Sequence, residues 1–330
     1  MQSESAIISR IRRRAGSNER VRVGIGDDAA VINTGGATDL IACSDLMVEG
    51  VHFRREWAEP GLIGHKALAI TLSDVAAMGG DAKFAMVSIA LPHRLPAEFV
   101  EQVFQGIFEL ADSHGVSIIG GDTSSSRDSL FIDTSVIGEC AVGRAITRGG
   151  AKVGDFIYVT GALGASSLGL LLLERGVRLS HCEDDLLARR ALTRHLAPAP
   201  RLKAGRAIGE MGLATAMIDI SDGLSTDMWH ILDESRCGAV IHSAMIPIDE
   251  SVLAVRALEI DPLRLALNGG EDYELLFTVR PENRRRVAEL SNALGIPITG
   301  VGEIVAGGGL RLERNGALEP VAASGYEHMI

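Results

Sequence analysis

The sequence predicts a two-part protein, an α+β N-terminal unit with a mixed or antiparallel sheet followed by an α/β C-terminal unit, and three observations carry that prediction. Its 330 residues exceed what one hydrophobic core usually sustains, since cores stop growing near about 250 to 300 residues. Through the first half, short β patterns are interrupted by two long helical patterns, whereas the second half alternates β and α segments. Between them a glycine-bearing stretch around 144–154 breaks the patterning, which places the units at 1–145 and 146–330.

Residues 4–14 read as a short helix with Ile7, Ile8 and Ile11 on one face, and Arg12 to Arg14 complement the dipole at its end. A Gly24-Ile-Gly-Asp-Asp28 turn leads into β segments at 29–32 and 39–43. Leu62, Ile63, Ala67, Ile70 and Val75 recur at helical spacing over 60–78, while Ala85, Val87, Ile89 and Leu91 alternate as a strand over 83–91. The clearest amphipathic helix is 96–113, with Phe99, Val103, Ile107 and Leu110 as its buried stripe. A short buried strand at 116–119 ends in Gly120-Gly121-Asp122, and 130–142 is another strand. The second half restarts with a strand at 156–160, and Gly161 to Gly164 open a helix through 174. Helices follow near 184–195 and 200–210, then a strand at 215–218 and a helix to 235 capped by Ser221-Asp222-Gly223. A β segment at 239–242, a strand starting at Tyr273, a helix at 282–293 and closing β structure at 297–313 complete the chain.

Composition narrows the function classes. With 46% hydrophobic but only 4% aromatic residues, the cores must be built from Ala, Val, Ile and Leu. A net charge of -11 and a pI near 5.3 disfavour nucleic-acid or anionic-membrane surfaces, which need clustered Lys and Arg. Cys43, Cys140, Cys182 and Cys237 lie far apart, so neither a zinc ribbon nor a disulfide framework is indicated. No apolar run approaches a membrane span or a signal-peptide core, and a reduced, cytoplasmic setting is expected.

The chemistry is suggested by acids. Asn268-Gly-Gly-Glu271-Asp272 delivers two carboxylates into a β pattern, and Asp27, Asp28, Asp45, Asp74, Asp122, Asp219 and Asp222 likewise sit at ends of apolar runs. One Asp in a glycine turn means little, because Asp favours turns and caps for local reasons. So many partly desolvated carboxylates, if they converge, repel one another and require cations. Neither His nor Cys accompanies them as a set, and hard oxygen donors select Mg²⁺, Mn²⁺ or Ca²⁺ over zinc. Mg²⁺ keeps phosphate oxygens among its ligands, so a nucleoside triphosphate is the expected anion. A P-loop, an EF-hand and protein-kinase signatures are all absent, and Gly24-Ile-Gly-Asp-Asp-Ala29 sets two negative charges where a dinucleotide pyrophosphate would approach.

These segments resemble the thiamine-monophosphate kinase family, within the aminoimidazole-ribonucleotide synthetase-like superfamily. The matching stretches are Gly24-Ile-Gly-Asp-Asp-Ala-Ala-Val31, Ser44-Asp-Leu-Met-Val-Glu-Gly-Val-His-Phe53, Leu72-Ser-Asp-Val-Ala-Ala-Met-Gly79, Gly120-Gly-Asp-Thr123, Asp219-Ile-Ser-Asp-Gly-Leu224, Asn268-Gly-Gly-Glu-Asp-Tyr-Glu-Leu275 and Ser324-Gly-Tyr-Glu-His328. The resemblance implies a two-domain fold, a homodimer, and phosphoryl transfer from ATP to thiamine monophosphate. It implies several Mg²⁺ ions held by Asp28, Ser44, Asp45, Asp74, Asp122, Asp219 and Asp222, with Cys43 contributing at most its backbone oxygen because sulfur is a poor Mg²⁺ ligand. ATP contacts would come from Gly121, Asp122, Arg148 and Ser221, and Phe104 stands where the family usually has a nucleotide-side Tyr. His52, Glu271 and Tyr326 would line the substrate site. No general base or covalent nucleophile is required, because the acceptor is already an ionised phosphate. Taken alone, His52 reads as a packed histidine and Tyr326 as a hydrophobic anchor for the tail; only the motif raises them. A superfamily relative with another acceptor, or a non-catalytic nucleotide-binding protein, would share the acids.

Overall fold

The computed structural model describes residues 4–16, 18–254 and 260–325. In the N-terminal half the elements are α1 (Glu4–Arg14), β1 (Val21–Val23), β2 (Ala30–Asn33), β3 (Thr38–Val48), α2 (Pro60–Ala77), β4 (Asp81–Pro92), α3 (Ala97–His114), β5 (Ser117–Ser126) and β6 (Phe131–Ala141). The strands form a six-stranded sheet in the order β1-β2-β3-β6-β4-β5, antiparallel except for the β4/β5 edge. The long strand β3 pairs with β6 along its whole length, from Thr38 opposite Ala141 to Val48 opposite Phe131, which makes this the rigid platform of the half.

Helix α2 lies across the inner face of that sheet. The helical spacing read over 60–78 is found, and Ile63, Leu68, Leu72, Val75 and Ala77 on different sides are all buried, as for a helix surrounded by protein. Close packing explains how: a Cβ on Gly64 would come within 1.9 Å of the Val103 carbonyl and one on Gly106 within 1.8 Å of the Gly61 carbonyl, so α3 can approach only across glycines.

The C-terminal half contains β7 (Phe156–Thr160), α4 (Ala165–Glu174), α5 (Leu186–Leu196), α6 (Leu202–Met211), β8 (Ala214–Asp219), α7 (Leu224–Ser235), β9 (Gly238–His242), α8 (Glu250–Ala254), α9 (Pro262–Asn268), β10 (Leu275–Val279), α10 (Arg284–Leu294), β11 (Ile298–Val305), β12 (Gly309–Arg314) and β13 (Ala317–Val321). Its seven-stranded sheet runs β13-β12-β9-β11-β7-β10-β8, and only β12 and β9 are parallel. One apolar core continues from α2 through Ala204 and Ile208 of α6 to Met217 and Phe277, so α2 is shared by both halves.

Three local expectations are corrected. The strand predicted at 116–119 is longer, continues past a bulge at Ile119 through Gly120-Gly121-Asp122 to Ser126, and is an exposed sheet edge, because no strand among the described residues pairs with its outer side. The strand expected from Tyr273 begins at Leu275, and Leu275–Val279 is buried at every residue because both faces are covered, so alternation does not mark it. The α7 N-terminus is not capped by the Asp222 side chain; Asp227 reaches back instead, accepting from the N–H groups of Asp222 (3.2 Å) and Gly223 (3.0 Å).

Candidate active site

Strand ends and tight loops bring the acids together where the two sheets meet α2. Asp45 faces inward from β3, Asp74 projects from α2, Asp219 ends β8, and Asp28 lies in the loop before β2. Oxygens of Asp28, Asp74 and Asp219 lie within 4.8 Å of one another. Burial pushes Asp74 well above the usual carboxylate range, with Asp45, Asp219 and Asp28 adding to it. Burial and the adjacent Asp28 push Asp219 up to about 7 even though the Ser73 hydroxyl donates to its Oδ2 at 2.6 Å. Asp27 is pushed up to about 7 by burial and by Asp28.

Among the described residues one cation, Arg148, is built into that basin. The Arg148 guanidinium pairs with Asp28 Oδ1 at 2.5 Å, and the Arg148 N–H donates to Asp27. Burial nevertheless raises the Asp28 carboxyl, and Asp28 Oδ2 and Asp45 Oδ2 are buried with no hydrogen-bond partner. Orphaned buried carboxylate oxygens are costly unless something binds them. All-oxygen donors, negative and unsatisfied, fit a hard divalent cation.

A cavity of about 500 Å³ opens from these acids. Asp45, Asp74, Asp219, Ser221 and Asp222 line one side, and His52, Trp57, His195, Glu271 and Tyr273 the other. The Asn268-Gly-Gly-Glu-Asp loop reaches it by packing on the Ser221 loop: a Cβ on Gly270 would lie 2.6 Å from the Ser221 carbonyl, so only glycine permits the approach. The Glu271 N–H donates to that carbonyl at 2.7 Å, and Glu271 is held at a left-handed φ of 64°. Its carboxylate takes Lys66 Nζ at 2.8 Å and sits 3.1 Å from His195 Nδ1. Burial would raise the Glu271 carboxyl, but Lys66, His195 and His52 hold it below its ordinary value. Burial and Lys66 push His195 down to about 4, so its imidazole is neutral near pH 7. Asp272 turns away from the cavity and accepts from Gly164 and Ser166 N–H groups, a structural role.

Not every expected residue is here. The Ser44 hydroxyl points to the opposite face of the sheet, 2.9 Å from the Ser135 hydroxyl and 3.2 Å from Asp133, because neighbours on a strand alternate sides. The Cys43 thiol does face the acids but donates to the Thr71 carbonyl at 3.4 Å. Gly121 is in register with Asp45 but three strands away, about 14 Å at the usual ~4.8 Å strand spacing. Gly121 and Asp122 are thus on the exposed edge, and Phe104 packs beside Phe108 on α3; one chain does not bring these three to the basin. Tyr326 lies outside the described residues, although Gly325 before it donates to Thr226 Oγ1 at 2.9 Å, beside the Asp222 loop. The His52 Nδ1 accepts from the Val48 N–H at 3.0 Å while its ring lines the cavity.

Lys66, His195, Trp57 and Asp227 were not anticipated. A signal for Lys66 was available: it lies three residues after Ile63 and four before Ile70, on the buried stripe, where an unpaired lysine is not tolerated. His195 in the last turn of α5 carried no such signal.

Fold and site define a protein of the AIR-synthase-related class: the family model for the N-terminal domain of AIR synthase related proteins matches residues 26–140, and that for the C-terminal domain matches 152–315. The thiamine-monophosphate kinase of Escherichia coli (strain K12) is 39% identical over 315 residues, covering 93% of this chain and 92% of that one. That of Bacillus subtilis (strain 168) is 38% identical over 303 residues, covering 91% of each. Among solved structures, "AaThiL complexed with AMPPCP and TMP" superposes with a TM-score of 0.87 at 30% identity, covering 99% of this chain and 97% of that one. The chain belongs to the thiamine-monophosphate kinase family. Among the described residues no helix is long and apolar enough to cross a membrane.

Proposed function

We propose that this protein transfers the γ-phosphoryl group of ATP to thiamine monophosphate, forming thiamine diphosphate, with several Mg²⁺ ions held by Asp28, Asp45, Asp74, Asp219 and Asp222. The observation that carries the reading is one cavity with two unlike walls, Asp45 with its orphaned carboxylate oxygen beside Asp74 and Asp219 on one and an aromatic, histidine and glutamate surface on the other. A similar solved structure holds AMPPCP together with TMP, which supports a site for a triphosphate and a thiamine phosphate side by side. When bound, Mg²⁺ supplies charge neutralisation between two polyanions and at the transferring group.

The chain's own residues do the rest. Arg148 is anchored on Asp28 and also borders the Ser221 and Asp222 crevice, which sets a fixed positive charge for the nucleotide phosphates. Ser221 lies at the N-terminal end of α7, where backbone N–H groups favour anions. His52, Trp57 and Glu271 bound the acceptor's end. The acceptor is a phosphate monoester with a second pKa of about 6, so its attacking oxygen is ionised near pH 7 and transfer is direct and in line, without a protein base or a phosphoenzyme.

The active form is a homodimer in this reading. Leu46, Phe84, Met86 and Ile119 on the outer region of the N-terminal sheet are 50%, 44%, 38% and 54% exposed, an apolar surface that a second copy would cover. Such pairing is also the route by which Gly121, Asp122 and Phe104 would approach a nucleotide. Incubation of the purified protein with ATP, Mg²⁺ and thiamine monophosphate should yield thiamine diphosphate and ADP in equal amounts. ATP binding without that product would leave a nucleotide-binding protein and reject the kinase reading.

A further inference from the structure

We propose that Lys66 and His195 are positioning residues for acceptor recognition, acting entirely through Glu271. The inference rests on the functional reading above. Lys66 is 3% exposed although it lies on a helix, and its ammonium meets both Glu271 Oε1 at 2.8 Å and the His52 carbonyl at 3.3 Å. His195 is equally buried, and its Nδ1 lies 3.1 Å from Glu271 Oε2 and 3.1 Å from the Ser166 hydroxyl. Each oxygen of Glu271 therefore has one donor from the wall behind it, from α2 on one side and α5 on the other. A carboxylate has about four acceptor positions; those not facing Lys66 and His195 remain for the cavity, into which the Glu271 side chain is 25% exposed.

The arrangement has a chemical consequence. Lys66 supplies the opposite charge, and neutral His195 donates through Nδ1–H, so Glu271 stays ionised without drawing a cation from solution. It presents oriented acceptors to a donor group of the bound thiamine phosphate. Lys66 also grips the carbonyl of His52, tying the two acceptor-side residues into one unit. The groups facing Glu271 are Lys66 on α2, His195 on α5, His52 after β3 and Tyr273 on its own loop.

The test is a double-mutant cycle with Lys66→Met and Glu271→Gln, read by calorimetric binding of thiamine monophosphate and, separately, of AMPPCP with Mg²⁺ between pH 6 and 8. Lys66→Met should weaken thiamine monophosphate binding about tenfold or more while AMPPCP binding stays within about twofold. The loss should deepen as pH falls, because burial raises the Glu271 carboxyl once Lys66 no longer holds it down. On the Glu271→Gln background the Lys66 substitution should cost little further, and because this pair loses its opposite charges together the double variant should be more stable than Lys66→Met alone. Additive losses, or equal losses for both ligands at every pH, overturn the positioning role. A wild-type protein that binds no thiamine monophosphate overturns the functional reading itself, and this inference with it.

Discussion

Two groups of carboxylates face each other across one cavity, and the chain treats them in opposite ways. Glu271 has a buried lysine and a histidine on its two oxygens, and its carboxyl is held below the ordinary range. In the other wall Asp74 and Asp219, with Asp28 behind them, share one arginine among the described residues, their carboxyls are pushed up, and Asp28 retains an oxygen without a partner. The first wall is electrostatically complete in the protein alone. The second is complete only when something positive arrives, which is the physical difference between a surface that recognises an organic ligand and one that recruits cations.

Substitutions should separate the two walls. Asp219→Asn removes a charge from the incomplete wall, so thiamine diphosphate formation should fall by more than about 100-fold in steady-state assays. The same change relieves repulsion, and the Mg²⁺-free variant should unfold at a higher temperature than wild type. Lys66→Met should do the reverse to stability, costing about 3 kcal/mol or more in denaturant titrations, because it strands a buried carboxylate. An Asp219 variant less stable than wild type in the absence of Mg²⁺ would break the contrast.

Ser73 sharpens it more gently. Its hydroxyl orients Asp219 at 2.6 Å, so Ser73→Ala should weaken the Mg²⁺ dependence of the rate by about 10- to 100-fold.

Smaller still is a pH effect on stability. Asp27 and Asp219 have folded pKa values raised to about 7, so the folded protein binds more protons than the unfolded chain, and that stability is lost as pH rises through 7. His195 and His230 are lowered to about 4, so their contribution is lost as pH falls below the unfolded value of about 6.5. Between about pH 4 and 6.5 these opposed changes largely offset each other, and metal-free thermal stability should then fall as pH rises from about 6.5 through 7. Added Mg²⁺ should raise the melting temperature more at pH 8 than at pH 6, since bound metal displaces those protons.

Much of this site is legible in the sequence because its signals are local. Glycine next to acid at the end of an apolar run marks a backbone turn that only glycine permits, as Gly270 shows against the Ser221 carbonyl. Asp28, Asp45, Asp74, Asp219, Asp222 and Glu271 are all found at the cavity or in the acidic basin beside it. What sequence patterning does not reveal is lateral placement: Asp122 follows the same glycine grammar as Asp28, yet β5 becomes an edge strand and carries it away. Ser44 and Asp45 are adjacent in sequence and on opposite faces in space, a consequence of strand pleating that a motif alone cannot express. The C-terminal sheet teaches the same lesson, since its alternating β and α segments leave strand direction open and most of its pairs are antiparallel. His195 comes from α5, far in sequence from Glu271, and only the tertiary packing joins them.

The most direct test of the central claim is the affinity of AMPPCP measured by calorimetry in the presence of Mg²⁺ and again in excess chelator. If the acidic wall is completed by cations that carry the triphosphate, binding should be tight with Mg²⁺ and lost in chelator, and Asp219→Asn should be weak in both. Equal affinity of the wild type under the two conditions would contradict the account.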